Sequence, residues 1–458
     1  MYIITDDFDR DGWLDLAIAC HSCNQVLVVP NQAMLGSECA AFASHSGATW
    51  PLVHGGQGDA PLALASGYFV DAVPALNRPL VFQNMFPHIV AVTQFTPGIT
   101  RIVPLQGTPP RGTPPGTPWM SWTIAPGSAS LVRLPGSTTA TPTYPAHAIL
   151  ADFNKDGRPD IAVADSLAGG GGGVFVYMSP GGALPPLYEA PGTLVATASL
   201  ASPIFIPVPN ARFLAAADFN RDGFLDLAVA SGGSVAFLCG QAGGAFTTIP
   251  PIVIGQSVTS LAAADLDRNG EVDLVATDPI LGSVSVLWNR GCWRFDVTRF
   301  KAEKAHFVHV FDCNRDGILD IAVAQRDVDM ISIFSGWLGS VVPLMQTDTC
   351  PTCTQFQDTV TYTLCRTFRL PAGSRPIGLV SGDFDLNGLP DLAVANNGFP
   401  VPFPDPKSPV FPVQVIYNPC SCVACEGCAV GETRPAPCIP GGQPGECDQP
   451  EAVTPPKG

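Results

Sequence analysis

"ADFNRDGFLDLAVAS", residues 217–231, places three aspartates within nine positions of a chain that is only 14% charged. It then passes directly into alternating large and small apolar residues. The phrase occurs six times: DFDRDGWLDLAIA from Asp7, DFNKDGRPDIAVA from Asp152, DFNRDGFLDLAVA from Asp218, DLDRNGEVDLVAT from Asp265, DCNRDGILDIAVA from Asp312 and DFDLNGLPDLAVA from Asp383. The shared pattern is Asp-x-Asp/Asn-x-Asp/Asn-Gly-x-x-Asp, then a run suited to a buried strand.

Cation chelation explains such a pattern. Positions 1, 3 and 5 carry side-chain oxygens onto one side of a tight turn: Asp7, Asp9 and Asp11; Asp152, Asn154 and Asp156; Asp218, Asn220 and Asp222; Asp265, Asp267 and Asn269; Asp312, Asn314 and Asp316; Asp383, Asp385 and Asn387. Glycine at position 6 gives the backbone freedom that the turn needs. Position 7 is free to vary if only its carbonyl is used, and it does vary: Trp13, Arg158, Phe224, Glu271, Ile318 and Leu389. An aspartate at position 9 closes the shell: Asp15, Asp160, Asp226, Asp273, Asp320 and Asp391. Hard oxygen donors on a flexible loop suit Ca²⁺, so about six ions are expected. An EF-hand is excluded, because it needs a bidentate Glu at position 12 between two helices. Here position 12 is Ile18, Val163, Val229, Ala276, Val323 or Val394, inside a strand-like run. An ordinary Asx turn is the competing reading, but such a turn is expected to have no use for the aspartate at position 9. The loops hold 19 aspartates against 39 acidic residues in the chain, and six Ca²⁺ would bring the net charge from −16 to −4.

With 46 Gly and 47 Pro the chain is punctuated too often for long helices, yet 46% of it is apolar. The expectation is therefore an all-β fold. The loops begin 145, 66, 47, 47 and 71 residues apart, and 47 residues is the length of four short strands with tight turns, a propeller blade. The repeat from 218 reads as RFLAAADF, DLAVAS, SVAFLCG and AFTTIP, four strands in succession. In LDLAVA, Leu225, Leu227 and Val229 face away from the alanines, as a sheet packed between two neighbours requires. The 145-residue gap has room for a further blade at about 60–125, with strands at 62–70, 88–95, 99–106 and 119–125 and with Tyr68 in the place of a ligand. The expected architecture is a seven-bladed β-propeller of four-stranded antiparallel blades over residues 1–418, followed by a short Cys-rich tail, 419–458.

The six loops, with their Asp-Leu/Ile-Ala-Val-Ala strands, resemble the FG-GAP/VCBS repeat of integrin α-subunit heads and of many bacterial extracellular proteins. The resemblance implies a β-propeller with Ca²⁺ held between the first two strands of most blades. It implies no single activity, since relatives include adhesins, lectins, lyase scaffolds and filament components.

The acidic balance leaves no cationic face for a nucleic acid. No apolar run reaches the ~18 residues of a membrane helix, and no secretory leader precedes the first acidic residues. Fifteen cysteines, among them the close pairs Cys20/Cys23 and Cys350/Cys353 and six in the tail, fit an oxidising compartment. An extracellular or cell-surface location is thus expected, with the leader removed or outside this sequence. Cys422, Cys425 and Cys428 are spaced like half a metal site, but without a fourth ligand they read as part of a disulfide knot. His306 and His309 lie three apart in a strand and read as ordinary strand residues. No nucleophile elbow, phosphate-cradling loop or catalytic pair stands out. The leading expectation is a binding or adhesion module whose protein or glycan ligand meets the long loops (71–87, 107–118, 165–173, 343–365 and 396–412). The alternative is a structural subunit self-assembling into an extracellular filament or surface layer; a polysaccharide-acting enzyme ranks below both.

Overall fold

The computed structural model describes residues 2–8, 12–20, 25–29, 31, 48–51, 53–54, 57–58, 60–67, 88–96, 99–108, 121–124, 144–157, 160–166, 171–178, 203–343, 356–398 and 413–417. Antiparallel sheets account for almost all of them, with two single 3₁₀ turns and no α-helix among the described residues. Sheet 1 contains Tyr2–Asp6, Asp15–Cys20, Gln25–Val29 and Ala48–Pro51, and sheet 2 contains Ala60–Gly67, His88–Thr96, Ile99–Thr108 and Ser121–Ile124. Sheet 3 contains Pro145–Ala151, Asp160–Asp165, Gly173–Tyr177 and Ile204–Pro207. Sheet 4 contains Ala211–Ala217, Asp226–Ser231, Ser234–Gly240 and Phe246–Val253. Sheet 5 contains Ser260–Ala264, Asp273–Asp278, Ser283–Asn289 and Phe295–Lys301. Sheet 6 contains Ala305–Phe311, Asp320–Gln325, Met330–Pro343 and Phe356–Arg369. The last sheet contains Pro376–Gly382, Asp391–Asn396 and Val413–Ile416. The innermost strands pack side by side in chain order, and Pro376–Gly382 returns to Tyr2–Asp6, which makes the fold a β-propeller.

The expectation of seven four-stranded blades is overturned. Six blades have four strands, and the last sheet has only three among the described residues. The long loop expected over 343–365 is also corrected, because Phe356–Arg369 is strand and pairs with Met330–Pro343.

Side-chain size sets how the sheets stack. The second strand of sheet 4 turns Leu227 and Val229 towards Ala162 and Ala164 of sheet 3, while its Ala228 and Ala230 face Leu274 of sheet 5. The last sheet repeats this, with Leu392 and Val394 against Ala322 and Ala324, and Ala393 and Ala395 against Leu16 and Ile18 of sheet 1. Large groups pack against small ones, which lets the two backbones approach closely. Ring closure rests on this face packing and on one buried link, Asn31 Nδ2 donating to the Phe384 carbonyl at 2.7 Å.

Four rings from four different innermost strands meet inside the ring. His147 stacks on Phe213 at 3.7 Å between centroids, and Tyr2 and Phe307 complete the cluster edge-on. His147 Nδ1 accepts the Leu214 N–H at 3.2 Å, so Nε2 carries the proton and donates to the Tyr2 hydroxyl at 2.8 Å. Burial holds the His147 pKa down at about 3, and that of His309 at about 4, so both imidazoles are neutral. His309 Nε2 accepts the Ser381 N–H and thereby ties sheet 6 to the last sheet.

Candidate metal centre

All six aspartate loops join the first strand of a sheet to its second, so they gather at one end of the ring. Each is wound by its own side chains. The N–H of position 6 donates to the position 1 carboxylate in every copy, from Gly12 to Asp7, Gly157 to Asp152, Gly223 to Asp218, Gly270 to Asp265, Gly317 to Asp312 and Gly388 to Asp383, at 2.8–3.1 Å. Where position 5 is described, its N–H donates to the position 3 oxygen of Asn154, Asn220, Asp267, Asn314 or Asp385. The N–H of position 7 turns to position 5, as in Phe224 to Asp222, Glu271 to Asn269, Ile318 to Asp316 and Leu389 to Asn387. Positions 1, 3 and 5 therefore project their oxygens to one side of a turn whose N–H groups are already used. Asp9, Asp11 and Arg158 lie outside the described residues; Trp13 is described and follows its loop's glycine.

Position 9 does more than the sequence reading allowed. One oxygen of Asp15, Asp160, Asp226, Asp273, Asp320 and Asp391 accepts the N–H of position 2, at 2.8–3.0 Å. In four copies the other oxygen accepts an N–H from within the third strand, from its end or from just beyond it: Gly336 to Asp320, Gly240 to Asp226, Asn289 to Asp273 and Asn31 to Asp15. The ninth aspartate is thus a buried clamp between loop and sheet. The inference that a metal-free turn has no use for it is corrected, since a partner on the third strand was invisible in the local pattern.

Oxygen density supports a cation more directly. Asp265, Asp267 and Asp273 bring one carboxylate oxygen each within 4.8 Å of one another, and so do Asp383, Asp385 and Asp391. Oδ1 of Asp265, Asp312 and Asp383 is buried without a hydrogen-bond partner, although the other oxygen of each accepts its glycine N–H. A desolvated carboxylate oxygen with no donor is costly, and a bound cation removes that cost. Burial pushes Asp273 up to about 8, reinforced by the charges of Asp267 and Asp265, and pushes Asp226 and Asp320 up to about 6. Asp267, Glu271 and Asp385 move upward for the same first reason. The donor set, all oxygen and strongly anionic, fits Ca²⁺; Asp, Asn and the position 7 carbonyl would hold it.

These shifts fix a sign. A carboxyl whose folded pKa lies above its unfolded value stabilises the fold fully below that unfolded value, and the contribution is lost as pH rises through the folded one. In chelator, raising the pH from 6.5 to 8.5 is therefore expected to cost about 2 kcal/mol through Asp273 alone. The two buried histidines act in the opposite sense, because half of the unfolded-state imidazoles are still protonated at pH 6.5, and together they offset somewhat less than ~1 kcal/mol of the loss. With Ca²⁺ present the loss should vanish, and Asp273→Asn should abolish it in chelator; denaturant melts at the two pH values measure this.

Sequence reasoning missed the groups that reach these loops from elsewhere. Arg290 Nη1 lies 2.9 Å from Asp267 Oδ2, while its Nε holds Asp296. Asn289 Nδ2 donates to the Phe219 carbonyl of the neighbouring loop at 2.8 Å. Arg221 donates through Nε to the Gly270 carbonyl at 2.8 Å, and its Nη1 stands 3.5 Å from Glu271. The only sequence signal was the basic residue at position 4 of most copies. Tyr68, Cys23, Cys350, Cys353 and the 419–458 tail lie outside the described residues.

Comparison with known proteins agrees with the loops. The family model described as "FG-GAP-like repeat" matches residues 218–276, which contain the loops from Asp218 and Asp265. No curated protein matches the chain. Among solved structures, BBS1N in complex with ARL6DN is similar with a TM-score of 0.45 and 9% identity, covering 86% of this chain and 89% of that one. A Lactobacillus plantarum protein is similar with a TM-score of 0.41 and 10% identity over 86% of this chain and 88% of its own. A chain of the Chaetomium thermophilum Polycomb Repressive Complex 2 has a TM-score of 0.39 and 14% identity over 73% and 64%. The matched repeat and the ring of sheets together support the resemblance to the FG-GAP/VCBS repeat and the β-propeller architecture that it implies.

Proposed function

We propose that this chain is an extracellular, Ca²⁺-stabilised β-propeller that binds a protein or glycan ligand through the loops at its blade edges. The observation that carries the cation is the repeated oxygen cup, with a buried carboxylate oxygen that has no donor in three of the six loops. The ions are staples in this reading, because each loop lies between two strands of one sheet. The rim is favoured as the binding surface because Tyr2, His147, Phe213 and Phe307 pack on one another between the innermost strands. The disulfide-bonded state of Cys292, Cys313 and Cys365 supports an oxidising compartment. Among the described residues no helix is long and apolar enough to cross a membrane.

Equilibrium dialysis of the full chain against Ca²⁺ tests the cation, with about six ions per chain expected; fewer than two would end the reading. The same material on a glycan array and in negative stain tests the rest. Single particles that retain a glycan support a binder, whereas filaments would shift the function to a self-assembling surface component.

A further inference from the structure

The side chain at position 4 of the loop does not serve its own loop. In five copies this residue is left-handed, with φ of 60° at Lys155, 58° at Arg221, 55° at Arg268, 59° at Arg315 and 53° at Leu386. That backbone turn throws the side chain away from the oxygens beside it. Where the residue is basic, it arrives at position 6 of the next loop along the chain. Arg221 Nε donates to the Gly270 carbonyl at 2.8 Å and Nη2 reaches the Asn269 carbonyl at 3.4 Å. A methyl group on Gly270 would collide with that guanidinium. On Gly223 it would lie 2.9 Å from Lys155 Nζ, on Gly317 2.7 Å from Arg268 Nη2, and on Gly388 3.3 Å from Arg315 Nη1. Lys155 Nζ also sits 4.6 Å from the ring centre of Phe224, position 7 of that next loop. The cationic end therefore reaches position 6 of the next loop at four successive junctions, with hydrogen bonds at the Arg221 junction, and position 4 of the last loop is the apolar Leu386.

From this repetition we propose that the position 4 cations are positioning residues that couple neighbouring loops, so that the propeller loads Ca²⁺ as a linked series and not as independent sites. The coupling rests on the cation reading above. Position 5 supplies a ligand and position 7 a carbonyl, and a guanidinium bonded to the carbonyls of positions 5 and 6 fixes the backbone between them. Ordering one loop fixes the stem of the basic residue, which in turn restrains the next loop. Linkage makes the effect reciprocal.

The test is hydrogen–deuterium exchange on the full-length chain, wild type and Arg221→Met, in EGTA and across a Ca²⁺ titration. In EGTA the variant is expected to exchange about fivefold or more faster at residues 269–273, with 218–226 unchanged. Arg221→Lys keeps the charge without the fork and is expected to restore part of the protection. In the titration the wild type should protect its loops with a Hill coefficient above 1, and Arg221→Met should flatten it. Faster exchange confined to 218–226, no change in either loop, or an equally steep titration in the variant would overturn the coupling. Arg315→Met, read at residues 387–391, repeats the test at an independent junction. If Ca²⁺ protects no loop in the wild type, the cation reading fails, and coupled loading with it. That failure is recognisable by itself, because the EGTA arm still reports whether Arg221 restrains the neighbouring loop.

Discussion

Excess EGTA is expected to lower the melting temperature of this protein by on the order of 15 °C. A site held at ~100 times its Kd contributes about 2.7 kcal/mol, and six such sites together come to ~16 kcal/mol, at or above the stability of a whole domain. The loss should be large because the loops cannot relax when the ion leaves. Their oxygens are fixed by N–H bonds from the glycine and from position 5, and the Oδ1 atoms of Asp265, Asp312 and Asp383 then stand buried without donors. Mg²⁺ added in place of Ca²⁺ should recover little, since it demands a stricter octahedron. Scanning calorimetry in EGTA, Ca²⁺ and Mg²⁺ decides this, and identical melts in all three would remove the structural role of the ions.

The second large effect belongs to Asp226. Its two oxygens accept the Phe219 N–H at 2.8 Å and the Gly240 N–H at 2.7 Å, and the side chain is fully buried. Asp226→Ala leaves both donors orphaned and opens the joint between loop and third strand, at an expected cost of about 3–5 kcal/mol even in chelator. Asp226→Asn keeps one acceptor of nearly the same shape, so in chelator it should cost only about 1–2 kcal/mol. In Ca²⁺ the asparagine variant should fall further behind the wild type by roughly the contribution of one site, ~2.7 kcal/mol. Urea melts of the three proteins with and without Ca²⁺ separate the two roles. Equal stability of the two variants in chelator would refute the clamp. An unchanged gap between wild type and Asp226→Asn on adding Ca²⁺ would refute the cation site.

Much of this was legible in the sequence because it is local. The strands of sheet 4 follow RFLAAADF, DLAVAS, SVAFLCG and AFTTIP closely, since alternation of large and small groups is a property of neighbouring residues. The oxygens of positions 1, 3 and 5 share one side of the turn because bonds spanning two to five residues wind it. Other features were not legible. The clamp by Asp226 depends on Gly240, fourteen residues away in a strand whose register only the folded sheet defines. Among the described residues Cys239 is free, with its thiol 3.3 Å from Asn220 Nδ2, which no spacing rule foretold.

What the sequence determined by itself is the unit: a loop rich in oxygen donors, a buried strand after it, and their sixfold recurrence, all encoded within about fifteen consecutive residues. The tertiary structure decided how the units join. It set the last sheet at three strands among those described, placed Asn31 against Phe384 across 353 residues, and carried Arg221 to Gly270 across 49. Such contacts depend on the angle at which one sheet packs on the next. That angle comes from the fit of large side chains against alanines over two whole faces, which no single stretch of the chain contains.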